Sequence, residues 1–230
     1  MRPVNKGESP YEVISKYTEA LPHLENAIGP YCSYCEFRIS HVPEVEHVTS
    51  KSRGGALTAW ENLLLGCKYC NARKNAQVTP ENVDDYMWPD QDNTALAYSY
   101  TGGIPTVNAS VLNAVDPTGT KLAKAQKLFD LVKLANVPTP RQKDKRFHER
   151  NRAYELALES LGNWQKAKAS TPEMMDVVKQ QISYTARENG FFSVWMTVFA
   201  DEPIMLNALI NVFPGTNKAY FDEAGHPKFV

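Results

Sequence analysis

The chain has 230 residues, of which 43% are hydrophobic, 10% aromatic and 22% charged. These proportions are typical of a folded globular protein and exclude a disordered or collagen-like chain. The net charge is only −1, but residues 121–168 contain 12 basic and 5 acidic side chains, and residues 32–74 carry a net charge of +2. Because electric fields are local, these basic segments can attract a polyanion even though the whole chain is nearly neutral. A solvated helical surface is the alternative interpretation of residues 121–168.

The sequence shows no pattern for membrane insertion or secretion. Its longest apolar stretch, residues 191–200, is shorter than the roughly 18 residues that a membrane span needs, and Ser193 and Thr197 interrupt it. The first ten residues are polar and lack the apolar centre of a signal peptide. We therefore expect a cytoplasmic protein without a membrane partner, in which paired cysteines more often bind metal than form disulfides.

In chain order, hydrophobic periodicity first predicts helices in residues 9–28, separated at Pro22. In residues 31–74, turn residues and short apolar runs predict a hairpin or loop followed by a helix. Residues 75–118 are rich in Asn, Asp, Pro and Gly, which indicates irregular connections with short strands around residues 96–100.

The C-terminal half is predicted to be helical because apolar residues recur there every three or four positions. One helix starts at Thr120, and four more are predicted at Asp144–Leu161, Pro172–Glu188, Phe191–Phe199 and Pro203–Val212. The predicted fold class is therefore α+β and mostly helical. We place the boundary between two units, residues 1–110 and 111–230, in the irregular region near residues 110–120.

All four cysteines fall into two pairs, Cys32-x-x-Cys35 and Cys67-x-x-Cys70. This spacing lets each loop present two thiolates to one tetrahedral zinc ion. The 31 residues between the pairs exceed the usual interval of zinc ribbons, which indicates that further structure is inserted there. Because a zinc ion with four thiolate ligands has no open position, we predict a structural zinc and expect any chemistry in the insert.

The insert and the residue that follows the second cysteine pair contain the groups that phosphodiester hydrolysis requires: a general base, and oxygen ligands for a hard divalent cation. The imidazole of His47 has an ordinary pKa near 6.5, which suits a general base. Glu46 and Asn71 supply oxygens of the kind that Mg²⁺ accepts. Taken singly, a Glu-His pair is more often a surface feature, and an Asn such as Asn62 is more often a helix cap.

Four groups of residues occur in one order: Cys32-x2-Cys35, Glu46-His47, Asn62 and Cys67-x2-Cys70-Asn71. This series resembles the HNH endonucleases, in which a ββα-metal site lies inside a zinc-braced fold. The resemblance implies that His47 is the general base, that Glu46 and Asn71 bind Mg²⁺ or Mn²⁺, and that Asn62 holds the loop of the base in place. Glu46 stands where Asp is commoner and Asn71 where His often stands, so the metal preference stays open.

Three basic side chains near the predicted site, Arg53, Arg73 and Lys74, suit contacts to backbone phosphates. Such contacts carry affinity but little sequence preference. Simple solvation is the alternative for each of them. His41 is a candidate either for a phosphate contact or for a structural role in the hairpin.

A wider resemblance rests on four segments: Met1–Val4, Tyr86–Asn93, Gly190–Met196 and Phe213–Thr216. They are similar to PtuB-type HNH nuclease subunits of Septu and retron-linked anti-phage systems. The resemblance implies an ABC- or SMC-like ATPase partner of the PtuA type and, in retron-linked systems, a reverse transcriptase with its RNA–DNA product. The aromatic-rich positions Phe191, Phe192, Trp195, Met196 and Phe213 are either a docking surface for that partner or part of the core.

We therefore expect a metal-dependent endonuclease that hydrolyses DNA as the effector of an ATPase-coupled defence system. Two alternatives stay open. The same site could act as an RNase on tRNA, because DNA and RNA share the phosphate that it would recognise. The chain could instead be a zinc-knuckle module that binds nucleic acid without catalysis.

Overall fold

The computed structural model describes residues 1–141 and 143–229. The described helices are α1 Leu21–Ile28, α2 Lys68–Lys74, α3 Thr94–Ala97, α4 Ala109–Val115, α5 Thr120–Leu131, α6 Arg146–Lys168, α7 Pro172–Asn189, α8 Phe192–Val198 and α9 Pro203–Val212. The strands are β1 Glu44–His47, β2 Leu63–Gly66, β3 Tyr98–Thr101 and β4 Ile104–Val107. The prediction of an α+β, mostly helical fold is confirmed. None of these helices combines the length and the apolarity that crossing a bilayer would require.

A ββα unit begins with β1 and β2 between the cysteine pairs and ends with α2, which contains Cys70. β1 and β2 form an antiparallel ribbon in which Glu44 lies opposite Gly66 and His47 lies opposite Leu63. All four residues of β2 are buried, which explains the continuous apolar run that precedes the second cysteine pair. The chain then enters α2 directly through Cys67, whose sulfur caps the helix by accepting a hydrogen bond from the backbone N–H of Cys70 at 3.4 Å.

The N-terminal segment agrees with its prediction in part near Pro22. Pro22 lies in the first turn of α1, which begins at Leu21 directly after a 3-10 helix that ends at Ala20. A proline is tolerated there because its missing N–H would have no partner within the helix. A 3-10 turn at Tyr17–Ala20 precedes α1, and residues 9–16 are not helical.

The buried apolar side chains form two cores. The first joins α1, the ββα unit, β3, α4 and α5, and the second joins α6 to α9. Leu112, Ala125 and Leu128, which follow residue 110, lie in the first core together with Leu63 and Leu65 of β2. The polypeptide thus continues in one packed core across the predicted boundary near residues 110–120.

The aromatic-rich positions for which two interpretations stood open belong to the cores: Phe192, Trp195 and Phe213 lie in the second core, Phe191 lies in the first, and Met196 packs against the second. Phe191, Phe192, Trp195 and Phe213 are each at most 2% exposed, so they do not form a docking surface. Burying apolar rings of this size stabilises the fold by about 1.5–3 kcal/mol each. Gly190 permits the backbone before α8 to approach the backbone of Glu36 closely. It has φ 83°, and a Cβ on it would lie 2.8 Å from the carbonyl oxygen of Glu36.

Candidate active site

The four cysteines meet in one buried cluster. Their sulfur atoms all lie within 4.8 Å of one another, and the sulfurs of Cys35 and Cys67 are 3.6 Å apart. A zinc ion with four Zn–S bonds of about 2.3 Å needs sulfurs about 3.8 Å apart, so the cluster fits one tetrahedral zinc. Among the described residues, this is the one group of three or more His, Cys, Asp or Glu side chains close enough to share an ion.

Two contacts tie this cluster to the rest of the fold. The backbone N–H of Ser33, inside the first cysteine pair, donates to the carbonyl of Leu65 in β2 at 2.9 Å. Arg146, the first residue of α6, places a guanidinium nitrogen 3.2 Å from the sulfur of Cys70. A cation at that distance stabilises a thiolate, which is the form that binds zinc.

His47 ends β1 with a defined tautomer. Its Nε2 lies 2.9 Å from the carbonyl oxygen of Leu57, and because a carbonyl can only accept, Nε2 carries the proton. Nδ1 therefore has a lone pair, and no hydrogen bond within the described residues occupies it. Burial lowers the pKa of His47 below its ordinary value of 6.5, so the imidazole is neutral at pH 7. A neutral ring with a free, oriented Nδ1 is the form that a general base needs.

Asn62 holds the loop that supplies the Leu57 carbonyl. Its Oδ1 accepts from the backbone N–H of Thr49 at 2.7 Å, and its Nδ2 donates to the carbonyls of Thr49 at 3.0 Å and Ala56 at 2.8 Å. The side chain thereby links both ends of the connection between His47 and Leu57. This placement suits the loop-fixing role predicted for Asn62, and the role itself stays a prediction.

Glu46 is only 2% exposed and is held from two sides. Lys74 of α2 lies 2.8 Å from Oε1, and the phenol of Tyr34 donates to Oε2. Burial raises the pKa of the Glu46 carboxyl, while the charge and hydrogen bond of Lys74 act against this shift. Burial and the charge of Glu46 raise the pKa of Tyr34 well above 10, so the phenol remains a donor. Since Tyr34 lies between Cys32 and Cys35, the cysteine cluster also positions this carboxylate.

Lys74 occupies a different position from the one predicted for it. It is 1% exposed, and its ammonium donates to the carbonyl of His47 at 2.6 Å while it pairs with Glu46. A cation so enclosed does not reach a phosphate at the surface. The structure therefore favours holding Glu46 and the end of β1 as its role. Arg53 is exposed and Arg73 is half-buried, and both remain candidates for phosphate contacts; His41 is exposed.

One cavity of about 490 Å³ brings three predicted site residues together. Glu46, His47 and Asn71 all line it, as does Glu44. The amide nitrogen of Asn71 donates to Glu44 at 2.7 Å, which leaves its carbonyl oxygen free to act as a ligand. Gly66 makes the close packing possible, because a Cβ there would lie 3.0 Å from the Cβ of Glu46. Carboxylate and amide oxygens are ligands that Mg²⁺ and Mn²⁺ accept, so the donor set fits such a cation.

Replacing Lys74 by methionine should destabilise the protein by about 3–5 kcal/mol, because Glu46 would then be a buried carboxylate without its cation. The double variant Lys74→Met/Glu46→Gln should recover most of that loss, since it removes both charges. Urea unfolding measures the free energy of unfolding of both variants. Lys68→Met, at an exposed position of the same helix, is the control and should stay within about 0.5 kcal/mol of the parent. A Lys74 variant as stable as this control would contradict the buried pair.

Sequence reasoning missed Tyr17 and Glu44. The ring of Tyr17 packs edge-on against His47, with centroids 4.8 Å apart, and its hydroxyl accepts from Lys51 at 3.1 Å. Glu44 lies two residues before Glu46 and therefore on the same face of β1. That alternation was the available signal for Glu44. The sequence carries no comparable signal for Tyr17, which approaches from the N-terminal segment.

The N-terminal segment, residues 6–20, packs against both ends of the connection between β1 and β2. Lys6 donates to the carbonyl of Leu63 at 2.9 Å, and the indole N–H of Trp60 donates to the carbonyl of Gly7 at 2.9 Å. Tyr11 meets Trp60 edge-on, with centroids 5.8 Å apart. The segment thus covers the ββα unit from Trp60 to His47.

Comparison with known proteins gives a match for this region. Residues 32–77 match the family model described as HNH endonuclease. No curated protein and no solved structure matches the chain. The matched range contains both cysteine pairs, β1, β2 and α2, which are the elements that form the candidate site. Residues 32–77 are therefore similar to the HNH endonuclease family, and they carry a four-cysteine cluster suited to structural zinc.

Proposed function

We propose that this protein is a metal-dependent endonuclease that hydrolyses phosphodiester bonds with His47 as its general base. The observation that carries the proposal is the imidazole itself: the Leu57 carbonyl fixes the proton on Nε2, and Nδ1 is left unprotonated in a residue that lines the cavity. The match of residues 32–77 to the HNH endonuclease family supports the same reaction class.

In the proposed reaction, Nδ1 of His47 takes a proton from a water molecule, and the oxygen of that water bonds to phosphorus. The bond from phosphorus to the departing 3′ oxygen breaks and leaves a 5′-phosphate end, and that oxygen takes a proton from solvent water to become a 3′-hydroxyl. The Leu57 carbonyl stabilises the imidazolium that forms, because it accepts a hydrogen bond from the opposite ring nitrogen. Asn62 keeps that carbonyl in place through its bonds to Thr49 and Ala56.

In this proposal Glu46 and Asn71 hold Mg²⁺ or Mn²⁺, which would neutralise charge on the scissile phosphate. Each oxygen of a carboxylate has about two lone-pair sites, so Glu46 keeps accepting capacity beyond its bonds to Lys74 and Tyr34. Lys74 offsets the cost of a buried carboxylate in the metal-free protein. Glu44 orients the Asn71 amide so that its oxygen is the free atom.

The direct test is incubation of the purified protein with Mg²⁺ and either plasmid DNA or total tRNA. We expect cleavage of one polymer by the parent protein and a large loss with His47→Ala. His226→Ala, in an exposed C-terminal position, is the matched control and should cleave like the parent. Binding without cleavage of either polymer would overturn the nuclease proposal in favour of a binding module.

Replacing Asn62 by alanine should lower kcat by about 10–10²-fold with little change in KM, because the carbonyl that orients His47 would lose its support. It should also cost about 1–3 kcal/mol of stability, since buried backbone groups of Thr49 would lose partners. Asn62→Asp keeps the acceptor for the Thr49 N–H but loses both donor bonds, so its kcat should lie between that of the parent and that of Asn62→Ala. Steady-state kinetics and urea unfolding measure these effects. Parent-like kcat in Asn62→Ala would contradict the role.

For the cellular role, we propose a nuclease effector in an ATPase-coupled anti-phage system, acting on DNA. The support is the likeness of residues 86–93, 190–196 and 213–216 to PtuB-type subunits, and the proposed partner is an ABC- or SMC-like ATPase. The product of the neighbouring ATPase gene, added to the cleavage assay with and without ATP, tests this. Cleavage that depends on the ATPase supports the system, whereas identical cleavage without any complex between the two proteins contradicts it.

A further inference from the structure

A loop before α6 presents exposed cations without carboxylate partners. Lys133, Arg141, Lys143 and Lys145 are all exposed, and none of them forms an ion pair with another described residue. The acidic residue among them, Asp144, is buried and pairs with Arg146 at 2.8 Å. Its charge is therefore balanced within the loop, and the four exposed cations keep theirs.

Cations elsewhere on the helical half are arranged differently. Several have a carboxylate partner: Lys127 with Asp85, Arg152 with Glu149, Lys168 with Glu202 and Lys179 with Asp176. Unpaired cations gathered in one loop keep a positive potential that an external anion can neutralise.

This loop lies directly against α2, the helix of the candidate active site. The phenol of Tyr69 donates to the carbonyl of Lys143 at 2.6 Å. Arg146 binds the carbonyl of Val132 at 2.9 Å, and its guanidinium also reaches the sulfur of Cys70. Burial acts to raise the pKa of Asp144, but Arg146 and then Arg73 of α2 outweigh burial and lower it, which places Arg73 within electrostatic range of the loop.

Two cavities flank α2. The candidate active-site cavity is lined by Lys68 and Asn71, and a second cavity of about 620 Å³ is lined by Tyr69, Lys143 and His148. A helix is about 10–12 Å across. A nucleic-acid strand rises about 3.4 Å per nucleotide, so a strand of a few nucleotides is long enough to contact both cavities.

We propose that the basic loop, residues 133–141 and 143–145, binds the phosphate backbone of the substrate nucleic acid beside the candidate active site. This inference rests on the proposed nuclease function and extends it to a surface outside the HNH match. Pro138 and Pro140, together with the Tyr69 and Arg146 contacts, restrict the loop, so less conformational entropy is lost when its cations bind. The cations contact phosphates rather than base edges, and the loop therefore contributes affinity without sequence preference.

The test measures binding in a His47→Ala background, so that cleavage does not interfere. The variant Arg141→Gln/Lys143→Gln/Lys145→Gln is compared with a control that removes three exposed cations from other elements, Lys166→Gln/Lys218→Gln/Lys228→Gln. Lys166 lies about 30 Å from Arg146 along α6. Fluorescence anisotropy measures Kd for a DNA duplex of about 20 base pairs and for an RNA of about 20 nucleotides, at salt concentrations from about 50 to about 200 mM.

We expect the loop variant to bind at least one polymer about 10–10²-fold more weakly than the control at about 0.1 M salt. Its salt dependence, the slope of log K against log salt, should be shallower by about 2.7 for duplex DNA or about 2.1 for single-stranded RNA. The polymer that shows the effect identifies the substrate class. Equal affinities and slopes for the loop variant and the control, on both polymers, would overturn the proposal.

The outcomes separate the loop from the nuclease. If the protein carrying His47 does not cleave but the loop variant still weakens binding, the nuclease proposal fails and the loop proposal stands. If that protein cleaves and the loop variant binds and cleaves like the control, the loop proposal fails alone.

Discussion

His47→Ala should lower the rate of phosphodiester cleavage by about 10²–10⁴-fold, the range expected for loss of a general base. The reason is geometric: no other imidazole lines the candidate active-site cavity in the described part of the chain, and Nδ1 of His47 is fixed by the bond that Nε2 makes to Leu57. Single-turnover cleavage at saturating Mg²⁺ measures the effect.

The loss must come from chemistry and not from unfolding. His47→Asn keeps a polar side chain in β1 but supplies no base, so its rate should fall as far as that of the alanine variant. Zinc content and circular dichroism should match the parent in both. Cleavage by folded His47→Ala at more than about a tenth of the parent rate would contradict the assignment of the base.

Removing the zinc ion should unfold the ββα unit. Structural zinc sites contribute about 10–16 kcal/mol in small zinc peptides, which equals or exceeds the total stability of about 5–15 kcal/mol of a typical domain. The loss should abolish activity as well, because Tyr34 and the start of α2 would no longer be held beside Glu46. Metal analysis, thermal unfolding and thiol titration with and without a chelator measure the three effects.

Cys70→Ser and Ser33→Ala form a matched pair for this test. Cys70→Ser leaves three ligands and removes the thiolate beside Arg146, so it should lose zinc. Ser33 lies within the first cysteine pair, but its hydroxyl has no partner in the described residues, so Ser33→Ala should retain about one zinc per chain. A chain that keeps its melting temperature after metal removal would contradict a structural zinc.

Local sequence signals predicted several elements well. The α9 bounds agree fully with Pro203–Val212, because Pro203 marks the first turn and the apolar spacing continues to residue 212. The helix predicted at 144–161 continues to Lys168 in the structure. The helix continues through Gly162 because the side chains of Trp164 and Ala167 that follow are buried, and their burial outweighs the roughly 1 kcal/mol cost of a helical glycine.

In the candidate site, too, some features were predictable from the sequence and others were not. Cysteine spacing predicted the cluster, because two short loops suffice to bring four sulfurs together. The partners of Glu46 were not predictable, since Lys74 and Tyr34 reach it only after α2 and the first cysteine loop pack against β1. Lys74 therefore looked like an exposed cation in the sequence, while tertiary packing made it a buried one.

The position of the N-terminal segment bears on how the region that matches the HNH family can be separated from the rest of the chain. A fragment cut at residues 32 and 77 would leave the indole of Trp60 without its acceptor on Gly7 and would uncover the face of His47 that Tyr17 shields. Grafting that fragment onto another protein should therefore transfer the motif but not a well-ordered imidazole. A transplantable unit has to include residues 6–20 as well, although they lie outside the match to the family.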